Sequence, residues 1–161
     1  MAKREHRLRA SGPRLKLVFG EDDLVGDFVA KRLPIGGFTK SDFGSYSSIG
    51  AAVDGALVMG CIYYDHRTVG CEIALAADRP NWCTKGVLAA LFAFPFLQCR
   101  YERLTLLIGE DNPRAVRLNL GLGFKQEGVL RRGYDGKRDA IMLGMLKEEC
   151  RWIKNVSRDG W

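Results

Sequence analysis

Apolar and polar positions along this chain follow two spacings, one typical of strands and one typical of helices. Residues 15–19 alternate and are rich in β-prone side chains, so they predict a short strand. Acidic residues then precede apolar positions spaced three or four apart over residues 24–33, which predicts a helix that ends at Pro34. Residues 38–48 are small and polar and predict a loop or a short helix.

The next segments predict three consecutive antiparallel strands. Residues 49–53 and 56–64 are β-prone runs joined by Asp54 and Gly55, a pair that favours a tight hairpin turn. Residues 68–77 form the third run and are reached through a turn near His66.

The second half of the chain begins with an apolar helix and ends in strands. Residues 87–97 are almost uniformly apolar, which predicts a helix buried on most sides. Pro95 should kink or end it, because its ring clashes with the carbonyl of Leu91. A strand at 101–108, a helix from Asn112 and strands at 124–130 and 140–146 follow. This order predicts an α+β fold: a mixed, mostly antiparallel central sheet of six to seven strands with flanking helices.

Composition narrows the class of protein. The chain has 161 residues, 47% hydrophobic and 27% charged, which predicts one globular domain. The apolar run 87–97 is shorter than the about 20 residues of a membrane span, and the first residues lack the apolar segment of a secretory signal, so we expect a cytoplasmic protein that uses no membrane. The five cysteines form no C-x-x-C pair and should be reduced thiols. His6 and His66 have no partners at ligand spacing, so we expect no metal site.

Positive charge is concentrated at the start of the chain. The formal net charge is +6, and residues 1–16 hold six basic residues against one acid, Glu5. We therefore divide the chain into a basic arm (1–14), a domain (15–147) and a C-terminal tail (148–161). Such an arm either contacts nucleic acid or an acidic protein, or is a solvated tail. No sequence signature of a known nucleic-acid-binding module accompanies it.

The turn before the apolar helix is a candidate anion site. A strand, a short loop with Lys85 and Gly86, and a helix start follow one another. The first amides of a helix have no partner inside the helix and favour negative charge, and Gly86 would let a phosphate approach the backbone. The loop matches neither the Walker pattern nor the dinucleotide pattern. Turns of this kind are also common without any ligand.

The segment from Asn112 to Arg131 resembles the Asn-x-x-[Ser/Ala] and Leu-Gly-Phe-x-x-Glu-Gly-x-x-Arg pattern of the GNAT superfamily of acyl-CoA-dependent N-acetyltransferases, and looks closest to the branch that acts on ribosomal-protein N-termini. The matching positions are Asn112, Ala115, Leu122, Gly123, Phe124, Glu127, Gly128 and Arg131. Residues 80–90 resemble the loop of that branch through Pro80, Lys85 and Gly86, and residues 92–96 are similar to GNAT-like proteins of tailed phages. The resemblance covers residues 15–147 and implies a GNAT-like fold.

The resemblance also implies a binding mode for acetyl-CoA as co-substrate. The fourth and fifth strands should splay apart, and the pantetheine arm should pair with the backbone of the fourth strand at Leu75, Ala76 and Ala77. The pyrophosphate should rest on the backbone amides of Thr84, Lys85, Gly86, Val87 and Leu88. Asn112 and Arg117 should complete the site. Simple packing of the two alanines, and a helix-capping role for Asn112, are the alternatives.

Two residues of the loop depart from the family pattern. Cys83 stands where the family has glutamine or arginine, and Leu88 stands where it has a small residue. A leucine can still offer its amide, provided that its side chain points away from the phosphate.

The resemblance implies two catalytic residues. Glu72, on the fourth strand, matches a position where some members place the general base, and its apolar neighbours would raise its pKa if its face is covered. The alternative is a solvated glutamate on the outer face. The tyrosine that usually protonates the leaving thiolate is replaced by Asn119, and Tyr134 is the candidate substitute.

The leading functional hypothesis is therefore transfer of an acetyl group from acetyl-CoA to a primary amine, on a protein N-terminus, a lysine or a small molecule, by direct attack. The alternative is a catalytically inactive GNAT-fold binding module that contacts nucleic acid or an acidic protein through its basic arm. The acceptor and the oligomeric state stay open.

Overall fold

The computed structural model of this protein describes residues 14–156, so almost all of the predicted basic arm lies outside the described residues. The chain forms seven strands and three α-helices. The strands are β1 (Lys16–Phe19), β2 (Tyr46–Val53), β3 (Ala56–Tyr64), β4 (Gly70–Ala77), β5 (Arg103–Gly109), β6 (Lys125–Leu130) and β7 (Ala140–Leu146). The helices are α1 (Asp22–Arg32), α2 (Lys85–Ala93) and α3 (Pro113–Leu122).

All seven strands belong to one sheet, in the order β1-β2-β3-β4-β5-β7-β6. The pair β4 and β5 is parallel, and the other neighbouring pairs are antiparallel. The parallel pair is possible because α2 lies in the crossover between its two strands. The predicted mixed, mostly antiparallel sheet with flanking helices is confirmed.

The two faces of the sheet are covered by different helices. On one face, Val25, Phe28 and Val29 of α1 pack against Ile62 and Ala74. On the other face, α2 packs with strand residues in a larger cluster that includes Leu91, Phe92, Ile73 and Leu104. Burial of these side chains supplies the main stabilisation of the sheet. None of the helices in residues 14–156 has the length and apolar character needed to cross a membrane.

The apolar helix ends as its proline predicts. α2 stops at Ala93 and is followed by a π-helical turn over Phe94–Gln98, which contains Pro95. Because proline has no N–H and its ring crowds the preceding turn, the regular α-helical hydrogen bonds cannot continue through this position.

Three strand starts differ from the prediction. β2 begins at Tyr46 instead of residue 49, because Tyr46 pairs with Tyr64 at the end of the long strand β3. β4 begins at Gly70 instead of residue 68, because the Arg67 N–H donates to the Gly70 carbonyl in a turn. β5 begins at Arg103 instead of residue 101.

The residues after β7 pack back onto the domain. They form two short 3₁₀ turns, Lys147–Glu149 and Arg151–Ile153. The Trp152 indole Nε1 donates to the Leu122 carbonyl at the end of α3, 2.8 Å away, and Cys150 is buried. This segment therefore fixes the end of α3 against the sheet.

Candidate active site

The central opening of the sheet lies between β4 and β5. The two strands pair from Gly70 with Arg103 as far as Ile73 with Leu106, and the register ends there. β5 continues to pair with β7 as far as Gly109, and β4 continues to pair with β3 as far as Ala77. The facing edges of the two strands are therefore unpaired beyond Ile73, which leaves backbone N–H and C=O groups available to another extended chain.

Two adjoining cavities occupy this opening. The inner cavity, of about 320 Å³, lies between the two strands, the loop after α1, Tyr64 and Tyr134. The outer cavity, of about 440 Å³, lies between the segment after β4 and the start of α3. Four residues line both cavities: Leu75, Ala77, Asn112 and Ala115. The predicted strand residues Leu75, Ala76 and Ala77 thus all line the opening, and their small side chains leave it wide.

The start of α2 lies beside the outer cavity, and Thr84 is its N-cap. The Thr84 Oγ1 accepts from the Val87 N–H at 3.2 Å, and the Thr84 carbonyl accepts from the Leu88 N–H at 3.0 Å. The Thr84 N–H donates to the Trp82 carbonyl. Of the five amides expected to hold a pyrophosphate, only those of Lys85 and Gly86 have no acceptor within residues 14–156. The space around Gly86 is open, since a Cβ there would meet no atom within 4 Å.

Leu88 does not obstruct this helix start. Its side chain is 2% exposed and packs in the core with Leu91 and Phe92. The side chain therefore points away from the outer cavity, as a phosphate at this turn requires.

Asn112 caps α3 and also lines the opening. Its Oδ1 accepts from the Ala115 N–H at 3.2 Å, so the capping role foreseen as an alternative is present. It lines both cavities as well. The two roles coexist because the start of α3 faces the opening.

Arg117, predicted to bind the co-substrate, is exposed and lines neither cavity. Arg114 on the same helix and Arg79 after β4 line the outer cavity instead. Sequence reasoning missed both, although Arg114 and Leu118 are four residues apart and therefore share a helix face.

Glu72 lies where the strands begin to separate. It pairs across the sheet with Tyr64 and Thr105, one residue before the last β4 and β5 pair. Burial raises the pKa of the Glu72 carboxyl, and the nearby Tyr64 phenol offsets part of that effect. Glu72 is half-buried, so it is not the fully solvated glutamate of the alternative interpretation. It lines a third cavity of about 470 Å³ with Thr105 and Glu127, while its neighbour Tyr64 lines the inner cavity.

Tyr134 reaches the inner cavity from the loop between β6 and β7. Its ring packs against Gly109, where a Cβ would lie 3.2 Å from the ring, so a larger residue at 109 would displace it. Burial raises the pKa of the Tyr134 phenol, and the Arg138 guanidinium, 5.0 Å from the ring centre, acts in the opposite direction. Asn119 also lines the inner cavity and donates from Nδ2 to the Ala115 carbonyl.

Arg138 connects three loops around the inner cavity. Its guanidinium donates to Asp111 after β5, to Asp135 beside Tyr134, and to the Pro34 carbonyl after α1. The backbone amides of Arg138 and Lys137 hold the pKa of Asp135 down to about 2. The loop that carries Tyr134 is therefore held by charged contacts across the usual pH range.

The arrangement is similar to solved structures of N-acetyltransferases. A spermidine N-acetyltransferase chimera from Vibrio cholerae and hSSAT aligns with a TM-score of 0.64 at 14% identity, covering 87% of this chain and 98% of that one. The ribosomal-protein-S18-alanine N-acetyltransferase from Escherichia coli aligns with a TM-score of 0.62 at 19% identity, covering 83% of this chain and 94% of that one. No protein-family model matches the sequence, and no curated protein is significantly similar to it.

The seven-stranded mixed sheet, with β4 and β5 splayed and α2 starting beside the gap, is an acyl-CoA N-acyltransferase fold. More particularly, it is the fold of the GNAT N-acetyltransferases, as the sequence resemblance implied.

Proposed function

We propose that this protein is an acetyl-CoA-dependent N-acetyltransferase that acts on a primary amine. The observation that carries the proposal is the unpaired end of β4, which opens towards the free amides at the start of α2. This geometry suits a ligand with an extended amide-containing arm at one end and phosphates at the other. Acetyl-CoA has both features in one molecule.

The chain offers a contact for each part of acetyl-CoA. The edge of β4 at Leu75, Ala76 and Ala77 would pair with the pantetheine amides, and the amides of Lys85 and Gly86 would bind the diphosphate. Val87 could add a third amide once its bond to the Thr84 side chain opens. The thioester would then lie near the last pair of β4 and β5, close to Glu72.

In the proposed reaction Glu72 accepts a proton from the ammonium group, directly or through a water molecule. Its raised pKa favours this role, because a base works best near the working pH. The amine nitrogen attacks the carbonyl carbon, a C–N bond forms and the C–S bond breaks. Tyr134, which stays protonated at neutral pH because burial raises its pKa, donates a proton to the leaving thiolate and is reprotonated by solvent.

The finer identity of the acceptor belongs to the proposal. The motif between Asn112 and Arg131 supports the ribosomal-protein branch and hence a protein N-terminus, with a lysine or a small amine as further candidates. The inner cavity, next to Tyr64 and Tyr134, is where the acceptor would enter, because it adjoins the point where the strands separate.

The binding-module alternative rests on Asn119 in place of the usual acid and on the basic arm, which lies outside the described residues. Deleting residues 1–14 should then abolish a salt-dependent affinity for DNA or RNA. Retention of that affinity would exclude the arm as the contact.

The proposal is tested by binding first and by turnover second. Acetyl-CoA at about 100 times its Kd should add roughly 2.7 kcal/mol to the free energy of unfolding, measured by urea titration. Release of free CoA should then be followed with peptides that carry a free N-terminus, a lysine peptide with a blocked N-terminus, and a small polyamine. Binding without turnover on any amine would favour the inactive module, and no binding would exclude the enzyme.

A further inference from the structure

The outer cavity carries positive charge that no carboxylate in the described chain neutralises. Arg79, just after β4, and Arg114, in the first turn of α3, both line it, and both are exposed. Neither arginine forms an ion pair with an acid in residues 14–156. Asp78 also lines this cavity, but Arg32 binds both of its carboxylate oxygens, at 2.7 and 2.9 Å. The cavity is therefore an anion-attracting surface.

The start of α2 supplies few donors of its own. Only the amides of Lys85 and Gly86 are free, because the N–H groups of Thr84, Val87 and Leu88 already have acceptors. The adjacent Cys83 adds no positive charge, and partial burial raises the pKa of its thiol. A ligand with a diphosphate and a phosphomonoester of about −1.5 to −2 charge needs further positive partners at this end of the opening.

We infer that Arg79 and Arg114 bind the phosphate groups at the nucleotide end of the co-substrate, and that they replace the basic loop residue that this chain lacks. The inference rests on the proposed function. Guanidinium groups are suited to this role, because they bind phosphate oxygens through two parallel N–H donors. The two arginines come from elements on opposite sides of the cavity, so together they would clamp the phosphates from both sides.

Isothermal titration with CoA tests the inference in Arg79→Gln, Arg114→Gln and the double variant. Arg117→Gln is the comparison, because Arg117 lies on the same helix as Arg114 but lines neither cavity. Each of the first two changes should weaken CoA binding about 5- to 20-fold, as expected for a lost charge-assisted hydrogen bond at an exposed site. Arg117→Gln should weaken it less than about twofold. All the variants should unfold at the wild-type temperature without ligand, since the substituted side chains form no ion pair in the described structure.

Dephospho-CoA, which lacks the 3′-phosphate, identifies the phosphate that each arginine binds. An arginine on the 3′-phosphate should have no effect on dephospho-CoA affinity, whereas one on the diphosphate should weaken both ligands equally. Equal CoA affinity in wild type and the double variant would overturn the inference, and so would a larger loss in Arg117→Gln than in Arg114→Gln. A wild-type protein that binds no CoA would instead overturn the proposed function itself.

Discussion

The cap of α2 makes a prediction in which stability and affinity change in opposite directions. The Thr84 Oγ1 accepts from the Val87 N–H, and that same N–H is a predicted donor to the diphosphate of acetyl-CoA. Thr84→Ala removes the cap but leaves the amide in place. The free protein should lose stability, while the bound state should gain a donor that no longer has to leave Thr84.

The magnitude follows from the cap. Loss of a threonine N-cap costs about 1 kcal/mol, which for a protein of this size lowers the melting temperature by roughly 2–4 °C. If acetyl-CoA takes the Val87 N–H, wild type must break the cap on binding and the variant need not. The variant should therefore bind acetyl-CoA up to about fivefold more tightly, which is the same 1 kcal/mol.

Urea denaturation without ligand and isothermal titration with acetyl-CoA measure the two quantities. Thr84→Ser is the matched control, because it keeps a hydroxyl acceptor and should preserve wild-type stability and affinity. Weaker binding by Thr84→Ala would refute the reasoning, since it would mean that the hydroxyl itself contacts the ligand. Unchanged stability would refute the assigned cap.

Three further substitutions test the other parts of the account. Glu72→Gln should lower acetyl transfer about 10²- to 10⁴-fold at unchanged acetyl-CoA affinity, and wild-type turnover would exclude Glu72 as the base. Because burial raises the folded-state pKa of Glu72, its ionisation destabilises the fold as the pH rises through that pKa, so Glu72→Gln should be more stable than wild type in urea at pH 8 and equally stable at pH 4. Tyr134→Phe should slow transfer roughly 10²-fold, and the raised pKa of Tyr134 means that wild type should lose no activity through this group below its usual titration range; equal rates for the two proteins would remove Tyr134 from the mechanism. Leu88→Ala should cost about 2–5 kcal/mol of unfolding free energy, because its side chain is buried, whereas Leu120→Ala, at an exposed position of α3, should cost far less; similar costs would contradict the inward orientation of Leu88.

The sequence was most informative where the signal is local. The bounds of β3 and β7 agree with the prediction, because alternating apolar residues and the Asp54 and Gly55 turn act within a few positions. The end of α2 before Pro95 follows from the missing N–H of one residue. β2 was predicted too short, because its first residues are polar and form a strand only by pairing with β3.

Details of the site depend on contacts between distant elements and were less predictable. The resemblance led to the opening beside Ala76 and Ala77, yet it pointed to Arg117 where the structure has Arg114 at the cavity. Which arginine faces the gap depends on how α3 rotates against the sheet, and packing sets that rotation. Likewise, only the three-dimensional cap of Thr84 reveals that three of the five expected amides already have acceptors.

A crystal structure with acetyl-CoA bound tests the central claim most directly. The account predicts density for the pantetheine arm between β4 and β5, with hydrogen bonds to the backbone of β4 at Leu75 to Ala77 and a phosphate at the amides of Lys85 and Gly86. Acetyl-CoA bound elsewhere, with the unpaired edge of β4 left empty, would contradict it.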